Sequence, residues 1–166
     1  MKKIVFVCNS GEEGLGHFIR CFNIASALQK LNPYVEIYFD GKYCDFALSK
    51  INFNNFSLID FDRKEGLYKE SIVIFDSYSH NQEKINEISF KSLFSIKIDD
   101  FNLYDLSNVD CVINFRANAE NENYNSKKTL LGLNFYPAPL SLVDLRKRNI
   151  SEFKKNELKN NWGLEE

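Results

Sequence analysis

The amino-acid sequence predicts an α/β domain of the Rossmann-like type, with an open, mostly parallel sheet and helices on both faces. Two observations support this prediction. Short runs of apolar, often β-branched residues recur along the chain, and segments with helical spacing of apolar residues lie between them. Strand and helix alternate four or five times, which is typical of parallel strands joined by helical crossovers.

The apolar runs define six predicted strands. Several are apolar without alternation, as expected for strands that helices cover on both faces. Aspartates directly follow some of these runs, for example Asp40, Asp76 and Asp99. The predicted strands cover residues 3–8, 35–39, 56–59, 72–75, 94–98 and 111–115.

Helical spacing is clearest after the first strand. Ile19, Phe22, Ala25 and Leu28 recur every three residues, and the sequence Leu-Asn-Pro ends the helix because proline disfavours helical backbone in the residue before it. Two later segments are also predicted to be helical, residues 44–51 and residues 81–93.

Composition limits the classes of function. The chain has 166 residues, 44% of them hydrophobic, which suffices for one substantial core. A net charge of −2 without a basic stripe argues against nucleic acid as a partner. No apolar run approaches the ~20 residues of a membrane span, and acidic residues come too early for a signal peptide. We expect a cytoplasmic protein whose four irregularly spaced cysteines are reduced.

The glycine-rich turn after the first strand, residues 10–21, could bind a phosphate or present a histidine. The dinucleotide fingerprint requires a glycine where Ile19 stands, and a P-loop requires a lysine that the turn lacks. Two glutamates in the turn would repel a pyrophosphate. The sequence therefore favours the second reading, in which Gly14 and Gly16 permit unusual backbone angles and His17 faces a cleft at the carboxyl ends of the strands.

His17 is predicted to act as a general base, because the pKa of imidazole lies near cellular pH. Arg20, one helical turn later, is expected to hold an anionic group in the same cleft. The alternative is a histidine that caps the helix or packs beside the sheet. No cofactor and no metal site are predicted, since the adjacent Asp99 and Asp100 would point to opposite faces of the sheet.

Four segments resemble a known family. The segment "GLGHFIRCFNIASAL" (14–28) is similar to the G-x-G-H-x-x-R-C segment of the UDP-sugar hydrolases of pseudaminic acid biosynthesis and their spore-coat polysaccharide relatives. The segments "IVIFDSY" (72–78), "IKIDDF" (96–101) and "VDCVINFRANA" (109–119) resemble later motifs of that family in the same order. The chain departs from the family at the end of its first strand, which reads "FVCNS" instead of Arg-x-Asp.

This resemblance implies a function and a set of site residues. The implied reaction is hydrolysis of a UDP-linked diacetamido-trideoxy hexose, with release of UDP and the free sugar. His17 would be the catalytic residue that activates water. The implied substrate-binding residues are those that match the family motifs, namely Gly14, Gly16, Arg20, Asp76, Tyr78, Asp99, Asp100 and Asn114.

The resemblance also implies the amino-terminal half of a two-domain, glycosyltransferase-like architecture. Residues 1–143 would form the domain on the sugar side, and the charged segment 144–166 would be a linker helix. The expected partner is a carboxyl-terminal nucleotide-binding domain or a separate nucleotide-binding subunit. The asparagine-rich residues 118–128 are expected to form a loop with little to bury.

Two other functions stay open from the sequence. In a glycosyltransferase acceptor domain, His17 would deprotonate a sugar hydroxyl instead of water. In a non-catalytic module that binds a sugar or nucleotide together with a separate partner, the same turn would contribute only to binding.

Overall fold

The computed structural model describes residues 2–11, 14–59 and 64–147. Seven parallel strands form one sheet in the order β3-β2-β1-β4-β5-β6-β7. The strands are β1 Lys3–Cys8, β2 Glu36–Asp40, β3 Ser57–Leu58, β4 Ser71–Asp76, β5 Phe94–Ile98, β6 Cys111–Asn114 and β7 Thr129–Leu131. The helices are α1 Gly16–Leu31, α2 Asp45–Phe53, α3 Lys64–Lys69, α4 Gln82–Lys91 and α5 Leu140–Lys147.

The order of the strands reverses between β1 and β4. From β1 the chain moves outwards through β2 to β3, returns to the other side of β1, and continues from β4 to β7. The register pairs Cys8 with Asp76, so the two strands end at the same level. This topological switch point is where open α/β sheets bind ligands, because the loops after neighbouring strands diverge there.

Apolar side chains form a core on each face of the sheet. One core packs α1 and α2 against the sheet through residues such as Phe6, Phe18 and Phe39. The other packs α3 and α4 against the opposite face, with Val73, Phe75 and other residues at its centre. The predicted Rossmann-like sheet with helices on both faces is therefore confirmed.

The structure adds two elements that the sequence did not predict. Strand β7 is a three-residue edge strand, too short to show a period of its own, and α3 has only six residues. Predicted strand 56–59 shortens to the two residues of β3, which lie at the opposite edge of the sheet. The other predicted strands agree with the structure to within one residue at each end.

The prediction that residues 118–128 have little to bury is wrong. Ala119 is 3% exposed and Tyr124 is 8% exposed, so the segment contributes to the interior. A short 3₁₀ segment at Ala119–Asn121 follows Asn118, which has a left-handed φ of 64°. Asparagine tolerates this conformation, so the asparagine cluster marks turns that bring Tyr124 into the core on the α3 and α4 face of the sheet.

Helix α5 crosses the predicted domain boundary at residue 143. It packs against α1, where Lys30 donates a hydrogen bond to Asp144 at 3.4 Å. The rest of the predicted linker helix, from residue 148 onwards, lies outside the described residues. Within the described part of the chain, no helix is both long and apolar enough to cross a membrane.

Candidate functional site

The turn after β1 determines where α1 begins. Gly14 has a φ of 80°, a left-handed conformation that glycine adopts without strain, and its N–H donates to the carbonyl of Gly11 at 2.8 Å. Helix α1 then starts at Gly16. His17 and Arg20 are three residues apart and therefore share one face of the helix, which faces the ends of β4 and β5.

His17 is bound to Asp76, the last residue of β4. The distance from Nδ1 of His17 to Oδ1 of Asp76 is 2.6 Å, and both side chains are buried. A carboxylate accepts hydrogen bonds only, so the contact with Asp76 places the proton on Nδ1 and the imidazole lone pair on Nε2. Nη2 of Arg20 lies 2.8 Å from the same Nδ1, but a protonated Nδ1 cannot accept, so in this tautomer Nη2 donates to Oδ1 of Asp76 and not to His17. The ring of Tyr78 lies edge-on to the imidazole, with centroids 4.4 Å apart.

Arg20 joins two carboxylates. Its Nε and Nη2 donate to the two oxygens of Asp76 at 2.8 and 2.7 Å, and its Nη1 donates to Asp100 at 2.9 Å. The guanidinium also stacks 5.3 Å from the ring centroid of Phe115. Burial alone would lower the pKa of Arg20, but the charges and hydrogen bonds of the two carboxylates outweigh burial and raise it.

Asp100 connects Arg20 to Tyr78, whose hydroxyl donates to the same carboxylate oxygen at 2.7 Å. Burial would raise the pKa of Asp100, but the hydrogen bonds from Tyr78 and Arg20 together lower it. The pKa of Tyr78 is raised, first by burial and then by its hydrogen bond to Asp100. The structure thus joins five predicted site residues in one network, which we call the His17 network: His17, Arg20, Asp76, Tyr78 and Asp100.

The other two predicted polar residues lie elsewhere. Asp99 forms an ion pair with Lys97 and accepts a hydrogen bond from Tyr124, which in turn accepts one from Asn114. Side chains alternate between the two faces along β5 and β6 and just beyond them. Asp100 therefore falls on the face of α1, whereas Asp99 and Asn114 fall on the opposite face. The predicted division of the aspartate pair between the faces is confirmed.

The expected position of His17 is corrected. It was expected to face a cleft, but its side chain is 3% exposed. Arg20, which was expected to hold an anionic group, donates from three of its nitrogens to the carboxylates of Asp76 and Asp100, and its role toward a ligand stays a prediction. A cavity of about 640 Å³ lies instead between α1 and α5, and none of the predicted site residues lines it.

Three residues of these networks were not predicted from the sequence. Phe115 supports Arg20, Lys97 neutralises Asp99, and Tyr124 reaches the site from the asparagine-rich loop. Lys97 was detectable as a charged residue inside an otherwise apolar strand prediction. Side chains alternate between the two faces along a strand, and Lys97 and Asp99 are two positions apart. The sequence could therefore have placed both side chains on the same face of the sheet.

Among the described residues, no group of three or more histidine, cysteine, aspartate or glutamate side chains is arranged to hold a metal ion. Comparison with protein-family models and with curated protein sequences finds no match to this chain.

Proposed function

We propose that this chain supplies the general base, His17, of a nucleotide-sugar hydrolase that is completed by a carboxyl-terminal nucleotide-binding domain or a separate nucleotide-binding subunit. The proposal combines the resemblance of four segments to the UDP-sugar hydrolases with the geometry of the His17 network. The substrate that the resemblance implies is a UDP-linked diacetamido-trideoxy hexose. The site lies at the switch point of the sheet, the usual position of ligands in this architecture.

The observation that carries the proposal is the 2.6 Å hydrogen bond from His17 to Asp76. A buried carboxylate on Nδ1 sets the tautomer in which Nε2 is the basic nitrogen, and it stabilises the imidazolium that forms when Nε2 takes a proton. Arg20 holds Asp76 by two parallel hydrogen bonds, which keeps that carboxylate oriented. The His17 network thus contains the two groups that the proposal requires, an imidazole and a carboxylate that orients it.

In the proposed reaction, a water oxygen attacks the anomeric carbon while one water proton moves to Nε2 of His17. The bond from the anomeric carbon to the phosphate oxygen breaks, and UDP leaves with the electron pair. The products are the free sugar, UDP and a proton that His17 later releases to solvent. Because the imidazole is buried, the substrate reaches it only when a covering group moves. Tyr78, which is 55% exposed and packs edge-on to the ring, is one such group.

The test replaces each partner of the pair separately. Measured as UDP release from the purified nucleotide sugar, His17→Asn should lower kcat by at least ~100-fold, because a general base contributes ~10²–10⁴-fold. Asp76→Asn should also lower kcat strongly, because an asparagine amide can stabilise the wrong tautomer. In both variants KM should change much less than kcat, since proton transfer occurs in the transition state.

His80→Asn is the matched control, because the chain contains two histidines and His80 lies on the opposite face beside Phe75. It should retain most of the wild-type kcat. Circular dichroism and thermal unfolding check that each variant folds. A wild-type protein that releases no UDP when its nucleotide-binding domain or subunit is present would overturn the proposal, and so would a folded His17→Asn variant that keeps more than about a third of wild-type kcat, given the ~100-fold loss expected.

A further inference from the structure

A second buried polar network lies on the face of the sheet opposite His17. Nζ of Lys97 lies 3.1 Å from Oδ1 of Asp99, and the hydroxyl of Tyr124 donates to Oδ2 of Asp99 at 2.9 Å. The side-chain amide of Asn114 donates to the Tyr124 oxygen at 2.9 Å. The Lys97 side chain is 5% exposed, and its ammonium lies 5.8 Å from the ring centroid of Phe75.

The carboxylate of Asp99 also holds the backbone of the turn that follows β5. Its Oδ2 accepts hydrogen bonds from the N–H groups of Phe101 at 3.2 Å and Asn102 at 2.6 Å. Asn102 has a φ of 51°, a left-handed conformation that such side-chain hydrogen bonds help to hold. Any change in the position of the Asp99 carboxylate therefore changes the course of this turn.

Asp100 lies inside the turn and belongs to the His17 network. Its carboxylate accepts from Arg20 and Tyr78 on the α1 face, while its carbonyl accepts from Nη1 of Arg116 at 2.5 Å. The orientation of the carboxylate depends on the backbone angles of residues 99–102. These angles are restrained from the opposite face by Asp99.

We propose that Lys97 and Tyr124 are positioning residues, which hold Asp99 so that the next residue, Asp100, points at Arg20 and Tyr78. Burying a lysine and an aspartate is costly compared with an apolar pair of similar size, so stability alone gives little reason for this arrangement. What the arrangement does achieve is a fixed orientation of the Asp100 carboxylate. The effect on turnover rests on the proposed function, whereas the effect on geometry does not.

The test uses the pKa of Tyr78, measured by NMR, to report the position of the Asp100 carboxylate. Three groups of the His17 network that can carry charge face the Tyr78 hydroxyl or ring: Asp100, Arg20 and His17. Protein labelled with ¹³C at the tyrosine ζ carbon is titrated by NMR, and Tyr78→Phe assigns the resonance. In the wild-type protein the pKa of Tyr78 should lie above the usual value of about 10. In Tyr124→Phe and Lys97→Met it should move down towards that value, because Asp100 turns away.

Matched controls remove similar interactions elsewhere. Tyr38→Phe deletes a tyrosine–carboxylate hydrogen bond of 2.7 Å to Glu36, and Lys127→Met deletes an ion pair of 2.7 Å to Asp110. Neither should change the titration of Tyr78. A merely structural role for Tyr124 would lower the melting temperature without moving the Tyr78 titration, and that result would overturn the proposal. If Lys97→Met fails to fold because it leaves Asp99 buried without a cation, Tyr124→Phe decides the matter.

Turnover gives a separate reading. In a protein that hydrolyses the nucleotide sugar, Tyr124→Phe should lower kcat about tenfold and leave KM within about threefold, because Asp100 anchors Arg20, which in turn orients Asp76 behind His17. If the Tyr78 titration shifts as expected while the wild-type protein shows no hydrolysis, the positioning role stands and the proposed function fails. If hydrolysis requires His17, but the Tyr78 titration and the kcat of Tyr124→Phe both match those of wild type, only the positioning role fails.

Discussion

At the scale of single residues, Arg20 is the side chain on which the His17 network depends most. It forms ion pairs with two buried carboxylates at once, and its planar fork matches both oxygens of Asp76. Resemblance and spacing predicted a residue that holds a ligand, whereas the observed contacts are internal. Its effect on substrate binding remains a prediction, but its effect on stability follows from the contacts.

We expect Arg20→Ala to destabilise the protein by about 3–5 kcal/mol, because it leaves two buried carboxylates without their cation. Arg20→Lys should recover only part of this loss, since an ammonium cannot form the two parallel hydrogen bonds to Asp76. Urea unfolding at neutral pH measures both values. Lys3→Ala, which removes an exposed ion pair to Glu70, is the control and should destabilise the protein far less than Arg20→Ala, because solvent screens exposed charges. Equal costs for Arg20→Ala and Lys3→Ala would contradict this account.

Asp100 should make stability depend on acid pH. Its folded-state pKa is lowered by the hydrogen bonds from Tyr78 and Arg20, which outweigh the effect of burial, so the unfolded state binds the proton more readily. The stabilisation is therefore complete above the unfolded pKa of about 3.9 and is lost as the pH falls through the lower, folded value.

Asp100→Asn removes this dependence. At pH 7 it should be about 1–3 kcal/mol less stable than wild type, as expected for lost hydrogen bonds to charged groups. The difference should shrink as the pH falls below about 4, because wild type then loses the same interaction. Urea titrations at several pH values give the two curves. A gap that stays constant down to pH 2 would show that the Asp100 charge contributes nothing.

At the scale of elements, the carboxyl ends of β1 and β2 meet closely at Gly41. A Cβ on this residue would lie 1.9 Å from the carbonyl oxygen of Cys8, which is backbone and cannot rotate away. The N–H of Ser10 donates to the carbonyl of Lys42 at 2.9 Å, which ties the two strand ends together. The turn that leads to His17 is therefore built against the end of β2.

We expect Gly41→Ala to cost at least about 2 kcal/mol, because the two strand ends must separate to admit a methyl group. Gly66→Ala is the matched control, since among the described residues no atom outside the adjoining helix backbone lies within 4 Å of the point in α3 where the alanine methyl group would stand, and alanine favours helix. It should be neutral or stabilising by up to about 1 kcal/mol. Thermal unfolding distinguishes the two, and similar melting temperatures would contradict the close approach seen at Gly41.

At the scale of the whole molecule, the protection of backbone amides from hydrogen exchange should decrease from the centre of the sheet to its edges. Strands β1 and β4 are paired on both sides and have apolar cores on both faces, whereas β3 and β7 are short edge strands. Hydrogen exchange followed by mass spectrometry should therefore find the slowest exchange in β1, β4 and β5. Protection of β7 equal to that of β4 would mean that the sheet opens as one unit.

Much of the fold was predictable because it depends on local patterns. Apolar runs identified five of the seven strands to within one residue, and the Leu-Asn-Pro sequence marked the end of α1. The two- and three-residue strands β3 and β7 are too short to show a strand period, and the six residues of α3 are too few to show a helical one. The burial of Tyr124 could not be read from a polar segment either, because the partner that holds it, Asp99, lies 25 residues away in the sequence.

The sequence by itself determined the α/β class, the glycine turn before α1 and the face on which each strand-end side chain falls, because backbone geometry sets these locally. Only the tertiary structure decided that β4 lies beside β1, which brings Asp76 to His17 across 59 residues, and that Arg20 is directed to two carboxylates. Strand order and burial arise from long-range packing of both sheet faces. No local pattern contains that information, and for this reason His17, which was expected to face a cleft, proved to be buried in a polar network.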